Sequence, residues 1–253
     1  MAGFDPNDKR FILRDADKIM ADPYRRLFLK QGLSLGALAM LTGCKLTTGN
    51  SVEAMLAKIS RFNDKAQAFL FHPQYLAPEY TESQITRPFP YNAYYPESEV
   101  RSPPPGYTLK LGGLIADKRD VTLAQLQAMP QFDQITRHVC VEGWSAIGRW
   151  GGVRFSDFLK KVGADTTAKY VGFKCFDDYY TSIDMPTALH PQTQLSLTYD
   201  GQTLPSKYGY PMKLRMPTKL GFKNPKYIAA IFVTNRYPGG YWEDQGYNWF
   251  GGL

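Results

Sequence analysis

Between His72 and Gly106 the chain places eight of its 18 prolines, ending on three in a row in SPPPG. Proline fixes φ and has no N–H to donate, so a stretch this dense in it supports neither a helix interior nor a paired central strand. The segment is therefore expected to run as an extended arm over a domain built from the residues on either side of it.

Those flanking residues carry periodic signals. From Asn50 to Phe71, Val52, Met55, Leu56 and Ile59 recur at helical intervals behind an Asn-Ser cap, which predicts a helix with its apolar stripe in the core. TLKLGGLI reads as a short strand pair around Gly112 and Gly113. TLAQLQAMP reads as a helix capped by Thr122 and stopped by Pro130, and RFSDFLKKVG as a helix with Ser156 near its start and Gly163 at its end. Strands follow. KYVGFKCF alternates, QLSLTYDGQTL holds an Asp-Gly hairpin turn, and PMKLRMP sets Met212, Leu214 and Met216 opposite Lys213 and Arg215. YIAAIFVTN is almost continuously apolar, as in a strand buried on both faces. With 253 residues, 43% apolar and 21% charged, and neither repeat nor central linker, the expectation is one α+β domain. It would have mixed sheets, peripheral helices and an extended N-terminal arm.

The N-terminus reads as an address. YRRLFLKQGLSLGALAMLTGC, residues 24–44, has paired arginines, a short apolar run and a small-residue end, the layout of a twin-arginine export signal. The run from Gly32 to Leu41 is well short of the roughly 20 residues that span a bilayer. LTGC resembles a lipobox, so Cys44 is expected to carry a lipid on a periplasmic, membrane-anchored protein. The divisions expected are 1–44 for the signal, 45–106 for the helix and arm, and 107–253 for the domain body, with the arm from about 86 included in the fold. The twin-arginine route carries folded passengers, often with a cofactor already inserted.

Three cysteines, Cys44, Cys140 and Cys175, at irregular spacing form neither a disulfide framework nor a CxxC metal site. The formal charge is +7, and Lys213, Arg215, Lys219, Lys223 and Lys226 crowd into KLRMPTKLGFKNPK. On charge alone a solvated basic face is the commoner reading, and a phosphate site the sharper one. No nucleic-acid motif accompanies the charge, so nucleic acid is not expected as a partner.

CVEGWS, RWGGV and the run ALHPQTQLSLTYDGQTLPSKYGYPMKLRMPTKLGFKNPKYI together resemble the sulfite oxidase-fold family of molybdopterin-dependent oxidoreductases. The likeness runs from about Thr86 to the C-terminus and is nearest the exported bacterial branch that includes protein-methionine-sulfoxide reductases. The tail PGGYWEDQGYNW is similar too. The resemblance implies that Cys140 is a thiolate ligand to the molybdenum of a molybdenum–molybdopterin cofactor (Mo-MPT). A soft thiolate suits such a metal. It implies further that Asn92, Tyr95 and Pro96 of PYNAYYPE touch the cofactor, with Asn92 near the metal. Cys175 either approaches the pterin or is a packed strand residue. Tyr208 and Lys213 stand where the family has an Asn and an Arg that hold the cofactor, and Asn224, Pro225 and Lys226 surround its terminal phosphate.

By the same likeness, His138 either contacts substrate or supports from behind, and Arg137 orients cofactor or substrate. Arg149 gives polar support, Trp150 packs in the core, and Glu142 and Trp144 shape the metal pocket. The reaction implied is a two-electron redox step or oxygen-atom transfer. Sulfoxide reduction is favoured, because the extra arginines that suit sulfite do not follow Cys140. The alternatives are a haem-free sulfite dehydrogenase-like enzyme and a non-catalytic exported binding lipoprotein. With no haem or cluster motif, electrons would come from a separate membrane cytochrome or quinone-linked subunit. The family's C-terminal dimerisation domain has no counterpart here, so a monomer is expected.

Overall fold

The computed structural model describes residues 49–253, so the export signal and Cys44 lie outside the described residues. The chain divides into two units, Met1–Leu56 and Ala57–Leu253, and the architecture below is that of the second. In chain order its regular elements begin with α1 (Gly49–Leu70, crossing the division), β1 (Lys110–Gly113), α2 (Leu123–Gln127), β2 (Gln131–Val139), β3 (Ser145–Arg154) and α3 (Phe155–Lys161). They continue with β4 (Tyr170–Cys175), β5 (Tyr180–Asp184), α4 (Met185–Ala188), β6 (Gln194–Tyr199), β7 (Gln202–Thr203), β8 (Lys213–Arg215) and β9 (Ile228–Thr234).

Two sheets result. One has the order β1-β9-β4-β5, with β1 parallel to β9 and the other pairs antiparallel. The other is antiparallel, with β2 on β3, β3 on β6, and both β7 and β8 on β6. Val171, Phe173, Ile231 and Val233 of the first sheet share one core with Val153, Leu195, Leu197 and Leu214 of the second, and Phe155, Phe158 and Leu159 of α3 fill it. A smaller aromatic cluster, Phe89, Trp150, Tyr199 and Tyr208, sits beside it. The α+β expectation holds.

Local chemistry explains much of this. Thr122 caps α2, accepting from Gln125 N at 3.2 Å, while Gln125 Oε1 accepts from Thr122 N at 2.8 Å. Asp200 and Gly201 take φ of 49° and 76°, the paired positive angles of the tight turn joining β6 to β7. The proline-rich arm holds only two short 3₁₀ turns, Glu82–Gln84 and Glu97–Glu99. It is tied to β2 through Tyr80 N donating to Ile135 O at 2.9 Å, and to β3 through Thr86 N donating to Ile147 O at 2.9 Å.

Four expectations are corrected. The strand pair around Gly112 and Gly113 is a single strand, because β1 finds its partner in β9 rather than in itself. β9 is central yet not buried on both faces: Ile231 and Val233 are buried, whereas Ala230, Phe232 and Thr234 are only half-buried. Ile59 and Phe62, on the apolar stripe of α1, are 50% and 73% exposed, because the helix docks through its polar side. The basic segment is not a solvated face, since Lys213, Arg215, Lys219 and Lys223 are all buried.

Candidate active site

A cavity of about 280 Å³ opens where five loop segments meet. They are Tyr91–Tyr94 of the arm, Cys140–Glu142 at the tip of the β2–β3 hairpin, Asp177 and Tyr179 after β4, the stretch around Gly221–Lys226 after β8, and Trp242 and Tyr247 of the tail. Loops at strand ends carry the variable chemistry while the sheets hold them still.

The hairpin tip sets the sulfur. Cys140 N donates to Trp144 O at 2.8 Å and Gly143 N to Cys140 O at 3.1 Å, a tight turn that leaves the Cys140 side chain on the cavity wall. Asn92 Nδ2 donates to Cys140 Sγ at 3.1 Å, and Glu142 Oε2 lies 3.7 Å from the same sulfur while accepting from Trp144 Nε1 at 3.0 Å. Burial pushes the Cys140 thiol above its ordinary range, against the pull of the Asn92 hydrogen bond. Among the described residues no three His, Cys, Asp or Glu side chains converge as a metal site. A metal at Cys140 would therefore have fewer than three such protein ligands and take the rest from a cofactor.

Behind the wall lies positive charge that Asp177, acting on Lys226, only partly offsets. Arg215, fully buried, donates to Thr136 Oγ1 at 3.1 Å, Arg137 O at 2.5 Å and Asn224 Oδ1 at 3.3 Å, and its Nε has no partner. Asn224 is fixed in turn by accepting from Met216 N at 2.6 Å and donating to Leu220 O at 3.0 Å. Lys226, on the wall, donates to Asn92 O at 2.5 Å. Lys213 Nζ lies 4.5 Å from the centre of the Trp150 ring, and neither His138 ring nitrogen has a partner. Burial brings Lys226 down to about 8 and Arg215 to about 9. Lys213 is lowered first by burial and then by Lys226 and Arg215. His138 is lowered first by burial and then by Lys213, Arg215 and Lys226. Buried cations that depress one another and donors left unmatched are what an anion completes. The donor set fits a phosphate-bearing cofactor with a thiolate-bound metal.

Of the residues singled out from the sequence, Cys140, Asn92, Asn224, Pro225 and Lys226 meet at the cavity. Glu142, expected to shape the pocket, lines it too, and the others stand off its wall. Tyr95 donates to Asp177 Oδ2 at 3.0 Å, and Pro96 only starts the Glu97–Glu99 turn. Cys175 is buried at the end of β4. Tyr208 donates to Phe89 O at 2.7 Å inside the aromatic cluster. His138 lies under Gly221, whose added Cβ would come within 2.5 Å of Nε2. Arg137 is exposed, stacked over Tyr80 and contributing its carbonyl alone to Arg215. Arg149 pairs with Asp133 and Glu82 on the outer face. Sequence reasoning missed Asp177, Tyr179 and Trp242. Asp177 Oδ1 accepts from Tyr179 N at 3.3 Å, and the FDDY that follows a strand was its one available signal.

Comparison with known proteins adds an independent line. The family model described as the oxidoreductase molybdopterin binding domain matches residues 95–242. A protein of Azospira oryzae, named as a candidate protein-methionine-sulfoxide reductase subunit, YedZ1, is 65% identical over 98% of this chain and 99% of that protein. The protein-methionine-sulfoxide reductase catalytic subunit MsrP of Xanthomonas axonopodis pv. citri is 33% identical over 54% of this chain and 48% of its own length. The sulfane dehydrogenase SoxCD from Paracoccus pantotrophus aligns with a TM-score of 0.48 at 18% identity, over 51% of this chain and 38% of that one.

Proposed function

Because this chain belongs to the oxidoreductase molybdopterin binding domain family, and so is an enzyme carrying a molybdenum–molybdopterin cofactor, we propose that it reduces sulfoxides in the periplasm with electrons from a separate membrane subunit. The observation that carries the substrate class is the Glu142 carboxylate, 3.7 Å from Cys140 Sγ on the cavity wall. An anionic sulfite within ~5 Å of it would meet about 3 kcal/mol of repulsion per unit charge at an effective dielectric near 20. A neutral sulfoxide meets none. The names of the two protein-methionine-sulfoxide reductase relatives support the same class.

When bound, the molybdenum supplies a two-electron centre able to exchange an oxygen atom. The chain's own part is positional. Cys140 would give the thiolate, with Asn92 orienting it and Glu142 beside it; Arg215, Lys213, Lys226 and His138 would hold the anionic end, with Asn224 aligning Arg215. Asp177, held by Tyr95 and by Tyr179 N, lines the cavity with a polar side chain alongside the hairpin tip. Residues 1–44 would direct export, 45–106 form the helix and arm, and 107–253 the body, with Cys44 the point of lipid attachment. Reduction of a sulfoxide consumes two electrons and two protons and releases a thioether and water.

The test is metal analysis of the exported protein beside Cys140→Ala, with reduced dye as donor and methionine sulfoxide or sulfite as substrate. Expected are about one molybdenum per chain, its loss or an altered metal spectrum in the variant, and sulfoxide-dependent dye oxidation. Sulfite oxidation without sulfoxide turnover would overturn the substrate assignment.

A further inference from the structure

α1 presents two unlike sides. Asp64 Oδ1 accepts from Asn248 Nδ2 at 2.7 Å and from Phe250 N at 2.9 Å, and Gln67 Oε1 accepts from Gly252 N at 3.2 Å. The polar side is thus the docked one. On the opposite side, Ile59, Phe62, Phe69 and Leu70 are 50%, 73%, 88% and 77% exposed. At 3.6 residues per turn these four, with Ala66, fall in one arc, and Lys58, Lys65 and Arg61 follow along one edge of it. All three basic residues are exposed. From Ala57 to Leu70 the sole acidic residue is Asp64, and it is turned to the body.

An apolar strip edged by Lys and Arg, on a helix otherwise committed to the protein, matches the surface of an anionic bilayer in both charge and polarity. The helix lies along such a surface rather than across it, since among the described residues no helix is long and apolar enough to span a membrane. The position of Cys44, five residues before Gly49, adds a second argument. One acyl chain alone gives only reversible membrane binding, on the order of 10⁴ M⁻¹, and stable attachment takes a second signal.

We propose that the exposed face of α1 is that second signal, with Phe62 and Phe69 at the headgroup–acyl boundary and Lys58, Arg61 and Lys65 at phosphate level. The proposal deepens the membrane-anchored reading of the N-terminus, and its test separates the two. Molybdenum-loaded Cys44→Ser protein, which cannot be acylated there, is sedimented with phosphatidylcholine vesicles and with vesicles holding about 30% phosphatidylglycerol. It is expected to bind the anionic vesicles and to leave them as salt rises. Adding Phe62→Ser and Phe69→Ser should lower partitioning at least about tenfold, and Lys58→Gln with Lys65→Gln should abolish the preference for anionic lipid. Lys58, Phe62, Lys65 and Phe69 are exposed, so unchanged molybdenum content reports an intact fold.

Binding by the acylated protein but not by Cys44→Ser overturns the proposal and leaves the anchor standing. Binding by neither overturns both. A dimer in light scattering that Phe62→Ser dissolves assigns the face to a second copy of the chain instead.

Discussion

Glu243→Gln tests whether the tail holds the Gly221–Lys223 turn beside the cavity. Lys223 Nζ donates to Glu243 Oε1 at 2.5 Å and to Ser182 O at 2.6 Å, and both charged side chains are 1% exposed. Thr181 Oγ1 donates to the same carboxylate oxygen at 2.7 Å. Removing one charge from such a pair leaves the other buried alone, at about 3–5 kcal/mol. Glutamine keeps an acceptor for Lys223 and Thr181, which puts the expected loss near 3 kcal/mol. For a folded unit of about 200 residues that lowers Tm by about 6–12 °C. Urea unfolding should show a lower midpoint at unchanged m-value. Lys223→Met combined with Glu243→Leu removes both charges and should recover most of the loss. Because Lys223 ends the Gly221–Lys223 turn at the cavity, molybdenum content should fall with the single variant as well. A loss below about 0.5 kcal/mol, the scale of an exposed pair, would refute the reasoning.

Two further outcomes are expected. Lys219 sits over the Phe250 ring with its ammonium unpartnered, held down to about 7 chiefly by burial and then by Lys223, against Asp184 at 3.9 Å and Asp64, with His190 also facing it. Its folded value lies below the unfolded value of about 10.4, so from pH 7 upward the unfolded chain holds a proton the native state lacks. Stability gained through this group should therefore rise by up to about 1.4 kcal/mol per pH unit between pH 7 and 9. Urea midpoints should show that this slope is missing in Lys219→Met; an identical slope would disprove the assignment. Gly221→Ala would set a methyl 2.5 Å from His138 Nε2 and 3.3 Å from Val139 O. A cost of about 1–3 kcal/mol is expected, read as a lower urea midpoint, together with reduced molybdenum content.

The elements legible in the sequence were those whose signals are local. The Thr122 cap, the Asp-Gly turn and the alternation in β4 each depend on a few neighbouring residues, and each stands where it was expected. The β2–β3 hairpin did not read as strands, although it is the longest paired element: QFDQITRHV and SAIGRWGGVR mix polar, glycine and aromatic residues without a clean apolar alternation. The α1 stripe misled, since periodicity states that an apolar face exists but not which face the protein covers. In the site, motif likeness found the wall at Asn92, Cys140 and Asn224–Lys226. Asp177 has no motif, and only three-dimensional closure of the arm over the β4–β5 turn brings it to the cavity. The basic segment has the charge of a surface and the burial of a core, a distinction that composition does not carry.

The parallel pairing of β1 with β9 sets a schedule. Lys110 faces Ala230, 120 positions further along the chain. A ribosome adding about 5–20 residues per second needs on the order of 10 s to cross that gap. Until then the first sheet lacks its central strand, and β1 and β4 have no common neighbour. The strand that completes the sheet is the last strand made among the described residues. Assembly of the first sheet is thereby deferred until β9 has been made, and a nascent chain stopped before Ile228 lacks the middle of that sheet rather than its edge.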